Sequence, residues 1–197
     1  MVTEKRRNIK CVVVGDDSVG KTSMLMGYAT CRYPTQHVPS VFDNHAGTLI
    51  VRGRKLHLEL IDTDEQDKYE EKRQFVYTGT DVFVVCFSVV QPDSLKHVED
   101  VWLPEIRHMA PKTPFILVGT QADLREADVV LNMLQSNGQI PVSPSAGSEF
   151  ARKVGAACYI ECSPGVEKKL RRTVNNALAS VIKLREGGVY TSPCTIL

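Results

Sequence analysis

"IKCVVVGDDSVGKT", residues 9–22, is the stretch whose reading decides the fold. Its first half is a continuous apolar run, rich in valine, of a length suited to one buried strand. Its second half, residues 15–22, matches G-x-x-x-x-G-K-[ST] and leads into a helix-like stretch that starts at Lys21. A strand, a glycine-bounded turn and a helix N-terminus in that order form a cradle for phosphates. The backbone amides of Gly15, Asp16, Asp17, Ser18, Val19 and Gly20, with the first helical turn through Ser23, face the anion. Lys21 reaches the outer phosphates, and the Thr22 hydroxyl binds magnesium. The competing reading is a chance glycine-rich turn, and the flanking strand and helix argue against it.

Moving outward, short apolar runs alternate with helix-like stretches. "GTLIVRGRKLHLELID" alternates in polarity about a central turn and reads as a hairpin. "VFVVCFSV", "PFILVGT" and "ACYIEC" are continuous apolar runs followed by helical patterns at 93–109, 145–154 and 166–185. Such an order implies an α/β domain, with a mostly parallel sheet covered on both faces. At 197 residues, with 43% hydrophobic and 24% charged residues, the chain suits one soluble domain, placed at 1–186, with a flexible tail at 187–197. A formal charge of +1 argues against nucleic acid as a partner. Six cysteines without regular spacing and no recognisable leader suggest a reduced cytosolic protein without disulfides.

Two further stretches narrow the ligand. "DTDEQD", residues 62–67, follows a strand and places Asp62 and Gln66 where a metal and a phosphate would be handled. "VGTQAD" ends a strand with Thr120, Gln121 and Asp123, and Asp123 is spaced to accept from the two nitrogens on guanine's pyrimidine edge, which rejects adenine. "IECS" ends at Ser163, beside the base. Each signal is weak alone, since a loop aspartate after a strand is usually a turn residue. Their order behind a phosphate loop makes them specific together. A phosphate-loop kinase of small molecules is a distant alternative.

With these residues in place the chain resembles a small GTPase of the Rho family, and the Rac type in particular. "TDVFVVCFSVVQPDS" and "WLPEIRHMAPKTPFILVGTQADLR" carry the likeness, "EADVVLNMLQSNGQIPVSP" (126–144) takes the place of the Rho insert helix, and "CTIL" is a lipidation box. The resemblance implies a P-loop G domain with a six-stranded, mostly parallel sheet, helices on both faces and the nucleotide at the strands' carboxyl ends. It implies GTP or GDP with Mg2+ as ligands. Tyr33 would pack on the base, and Thr22, Ser40 and Asp62 would serve magnesium. Gln66 would be the catalytic residue orienting water. Val38, Pro39, Val41, Phe42, Asp43 and Asn44 would form the effector loop. Implied partners are effector proteins, exchange factors and a dissociation inhibitor, with the protein itself a monomer. Cys194 would carry a geranylgeranyl group, the basic cluster Lys5, Arg6, Arg7 and Lys10 would assist it, and the protein would sit on cytoplasmic membrane faces with a cytosolic pool.

The departures from the family pattern gather at the nucleotide. Asp17 stands for a glycine and would project toward the γ-phosphate and the path of an arginine finger. Asp64 replaces a small residue and Glu65 replaces the glycine of D-x-x-G, losing freedom at positive φ. Gln121 replaces a lysine whose stem covers guanine and whose ammonium ties back to the phosphate loop. Pro164 replaces an alanine whose amide donates to guanine, and proline has no amide to give. The expectation is slow hydrolysis, fast exchange and a mostly GTP-bound protein. The alternative is a pseudo-GTPase, an interaction module that binds nucleotide too weakly to be switched by it. Trp102 is expected to be packing with no chemical role.

Overall fold

The computed structural model describes residues 8–30, 44–51, 53–63, 75–163, 167–185 and 194–196. Its centre is a sheet in the order β2-β3-β1-β4-β5-β6-β7. β1 (Asn8–Val14) is the phosphate-loop strand, and α1 (Lys21–Thr30) follows the turn. β2 (Asn44–Val51) and β3 (Arg54–Asp62) form the expected hairpin and are the sheet's antiparallel pair. β4 (Val82–Ser88), β5 (Phe115–Thr120) and β6 (Cys158–Glu161) are parallel to β1. β4 and β5 are buried at every position, which is why they read as unbroken apolar runs rather than alternating ones.

The six expected strands are present, and a short seventh is added at the edge of the sheet. Cys194–Ile196 form β7, a short parallel strand beside β6 with Cys158 opposite Cys194. A glycine-containing stretch with no apolar run before it gave no strand signal there.

Two apolar layers close the sheet's faces. On one, Leu25 and Tyr28 of α1 and Val174, Leu178 and Val181 of α6 (Glu167–Arg185) pack on Cys11, Val13, Val84 and Ile116. On the other, Val98, Trp102, Leu103 and Ile106 pack on Val12, Phe83, Val85 and Leu117. The helical run on this second face is broken in kind. α2 (Pro92–His97) passes into a π turn (Val98–Trp102), then into α3 (Leu103–Met109). Pro104 has no N–H to offer Asp100, and the chain instead bonds from Leu103 N to Val98 O, one residue wider than an α turn. The widened turn ends on Trp102, buried to 1% exposure under the phosphate loop.

The stretch assigned to the insert contains α4 (Asp128–Ser136), and α5 (Pro144–Val154) follows at once. Ser143 caps α5 by accepting from the Ala146 amide at 3.2 Å.

Candidate nucleotide-binding site

The turn after β1 is built around two glycines. Gly15 adopts φ +142°, and a Cβ there would lie 2.3 Å from the Cys86 carbonyl oxygen, so no other residue lets the loop leave the sheet here. Gly20 adopts φ +93°, and Ser18 between them is left-handed at φ +62°. Left-handed residues within such a turn aim successive amides into one concavity, an anion nest at the mouth of α1. Lys21 arches back over it. Its ammonium, 7% exposed, donates to the carbonyls of Gly15 and Asp16, each at 2.7 Å.

Beside the nest, β1 and β3 run parallel with Val13 opposite Asp62. The register brings Asp62, 2% exposed, against the first turn of α1, where the Thr22 hydroxyl donates to its carboxylate. Thr63 is fixed just after it, donating to Val13 O at 2.6 Å. A carboxylate and a hydroxyl set together are hard oxygen donors of the kind magnesium uses when substrate phosphates and waters complete its shell. Among the described residues no group of three His, Cys, Asp or Glu side chains could hold a metal ion. Thr22 and Asp62 would hold magnesium here, and the ion would supply positive charge against the phosphates.

The residues expected on the base side lie at the ends of β5 and β6. Thr120, 2% exposed, donates to Phe87 O at 2.9 Å and to Val19 O, joining the β5 end to the phosphate loop. Gln121 is left-handed at φ +56°. Its amide donates to Ser18 O at 3.3 Å, and its carbonyl accepts from the Ser88 hydroxyl at 2.5 Å. The tie to the phosphate loop that the lysine-to-glutamine change was expected to remove is therefore present, made by a neutral amide. Asp123 sits exposed on a short 3-10 turn (Ala122–Leu124), and Ala122 N donates to Cys162 O at 3.3 Å, next to half-buried Ser163.

The structure also shows a contact that sequence reasoning missed. Asp16 is held from below by Trp102, whose indole N–H donates to Oδ1 at 2.7 Å, and by His97 Nδ1, 2.6 Å from Oδ2. Trp102 is thus more than packing, which corrects the expectation. A tryptophan and a histidine five residues apart on a helical stretch were the available signal, but only tertiary structure points them at the loop. Asp17 stands exposed at the loop's outer side. It lines a cavity of about 390 Å³ with Asp93, His97 and, from the insert stretch, Met133 and Gln139.

Cysteine chemistry is quiet here. Burial, with Asp123 and Glu161 nearby, pushes the Cys162 thiol up to about 12, and burial likewise raises Cys86 and Cys11. All stay protonated and unreactive at neutral pH.

The expectations for Tyr33, Val38, Pro39, Ser40, Val41, Phe42, Asp43, Asp64, Glu65, Gln66 and Pro164 lie outside the described residues, and of the effector loop only Asn44 is within them, opening β2.

A parallel sheet with an anion nest at one strand end, a paired hydroxyl and carboxylate beside it, and a carboxylate turn across from it defines a phosphate-loop nucleotide-binding protein. The family model described as the Ras family matches residues 10–183. The chain belongs to the Ras family of small GTPases, whose members bind GTP and GDP with magnesium, hydrolyse GTP, and engage effectors, exchange factors and GTPase-activating proteins.

Proposed function

We propose that this chain is a Rho-type, Rac-like switch that hydrolyses GTP slowly, exchanges nucleotide fast and so rests mostly GTP-loaded. It presents residues 38–44 to effector proteins on the cytoplasmic side of a membrane, tethered through a geranylgeranyl group on Cys194 and free in part in the cytosol. The observation that carries the reading is an assembled cradle with a carboxylate added to it. Lys21 folded over the phosphate loop and the paired Thr22 and Asp62 support phosphate and magnesium binding, while Asp17 adds negative charge to the same loop. Binding groups of this kind supply most of the affinity, so nucleotide is retained. Catalysis depends on fine placement of water and of charge-neutralising groups, where one carboxylate costs most. α4, placed between the Asp123 turn and α5, supports the Rho-type assignment. Asp123, on its exposed turn, is the residue that reads guanine.

The substitutions Glu65 and Pro164 favour a second reading, an interaction module too loosely bound to nucleotide to be switched by it. One experiment separates them. Protein purified in magnesium is denatured, and its released nucleotide is identified by chromatography, followed by single-turnover hydrolysis of loaded GTP. Near-stoichiometric guanine nucleotide, largely GTP, is expected with hydrolysis far below a family-typical rate. Empty protein supports the module, and rapid hydrolysis removes the first reading.

A further inference from the structure

Arg125 lies two residues beyond Asp123, at the point where the chain enters the insert stretch. Its guanidinium is 20% exposed and reaches in two directions. NH2 donates to Glu161 Oε1 at 2.6 Å, and Nε donates to the Val142 carbonyl at 3.0 Å. Glu161, 11% exposed, is the last residue of β6, followed directly by Cys162 and Ser163. Its Oε1 also accepts from the Tyr159 hydroxyl at 2.7 Å. Burial and this bond to Glu161 push the phenol above its usual range, so it stays a donor. Val142 closes the far end of the excursion, and its amide is pinned to Val89 O at 2.8 Å.

Two loops must therefore keep a fixed spacing if the base is to be read from both sides. One carries Asp123 and the other Ser163. They are joined directly by the Ala122 N to Cys162 O bond, which at 3.3 Å is long. The short, charged, half-buried Arg125–Glu161 pair is the stronger join. A fork that binds a carboxylate and a carbonyl at once fixes direction as well as distance.

We propose that Arg125 is a positioning residue for guanine recognition, setting the Asp123 turn against the β6 loop through Glu161 while buckling the insert stretch closed at Val142. The proposal rests on Asp123 as the base-reading carboxylate. It predicts a loss of base selectivity, which a general loosening of the fold would not produce. Inosine diphosphate lacks the exocyclic amino group that a carboxylate at Asp123 accepts from, and is otherwise the same ligand as GDP.

The test measures GDP and inosine diphosphate affinity for the full chain with magnesium, by competition against a fluorescent GDP. The unaltered protein is expected to prefer GDP by at least about tenfold. Arg125→Ala should cut that preference by about fivefold, at the expense of GDP. Arg125→Lys, which retains charge but cannot span both acceptors, should fall between. Glu161→Gln should lower the preference alone and add little on top of Arg125→Ala. If Arg125→Ala does not fold, the Arg125→Lys and Glu161→Gln proteins decide the question. A preference that survives in the variants, or equal weakening of both nucleotides, overturns the positioning role. No preference in the unaltered protein overturns the assignment of Asp123, and this proposal with it.

Discussion

Replacing Trp102 with phenylalanine removes one N–H and keeps most of the ring. The indole is 1% exposed, and its partner, the Asp16 carboxylate, is 13% exposed. A hydrogen bond to a charged acceptor contributes about 1.5–3 kcal/mol. His97 still contacts the other oxygen but is half exposed, so it offsets little of the loss. The expected cost is about 2 kcal/mol, which for a domain of this size lowers Tm by about 4–8 °C. The assay is urea unfolding, with GDP held at the same excess over each variant's own dissociation constant so that ligand linkage is equal. Packing is separated from bonding by repeating the change in an Asp16→Ala background. There the cost should fall to the small remainder due to lost ring volume, a coupling of about 1.5 kcal/mol or more. An equal cost in both backgrounds would falsify the clamp, because it would make Trp102 a packing residue alone.

Changing Asp17 to Gly together with Asp64 to Ala and Glu65 to Gly should raise single-turnover hydrolysis and give a response to a GTPase-activating protein, by up to about 10³-fold with the activator; an unchanged rate counts against the carboxylates as the cause. Pro164→Ala restores an amide donor and should slow fluorescent-GDP release in stopped flow by about tenfold, a hydrogen bond's worth; release that does not slow places the looseness elsewhere. Gly147→Ala puts a Cβ 2.2 Å from the Tyr159 hydroxyl, so α5 or the hydrogen-bonded tyrosine must shift; a loss of about 1–3 kcal/mol by thermal unfolding is expected, and no loss means that the tyrosine moves freely. Cys194→Ser should release the protein from membranes to the cytosol, and neutralising Lys5, Arg6 and Arg7 should weaken co-sedimentation with anionic vesicles in a salt-dependent way; sedimentation indifferent to the basic residues at low salt leaves attachment to the lipid or a partner protein.

The parts legible in the sequence were those whose physics is local. Gly15 and Gly20 mark positions that only glycine fills easily, and the valine run before them marks a strand buried on both faces. Thr22 and Asp62 were read separately, each from its own motif, and the parallel β1–β3 register of the fold brings them together. What could not be read depends on contacts between distant residues. Trp102 reaches Asp16 across 86 positions, and a helical pattern alone does not say which loop a face will meet. Gln121 looked like a loss because its lysine-like role was judged by charge; in the fold a neutral amide in a left-handed backbone spans the same gap. Arg125 was visible only as part of a quoted motif, and its partners come from β6 and from the end of the insert stretch.

The sheet's outer margin has a consequence of its own. β7 is three residues long and includes Cys194, the residue proposed to receive the lipid. A strand paired along β6 and a cysteine offered to a transferase are competing uses of one segment. If the segment leaves, β6 is left with an open edge of backbone donors and acceptors running from Cys158 to Ile160. An open edge is a template for any extended peptide. Lipid attachment at Cys194, as proposed, would then do two things in one step, delivering the protein to a bilayer and exposing a backbone ladder along β6.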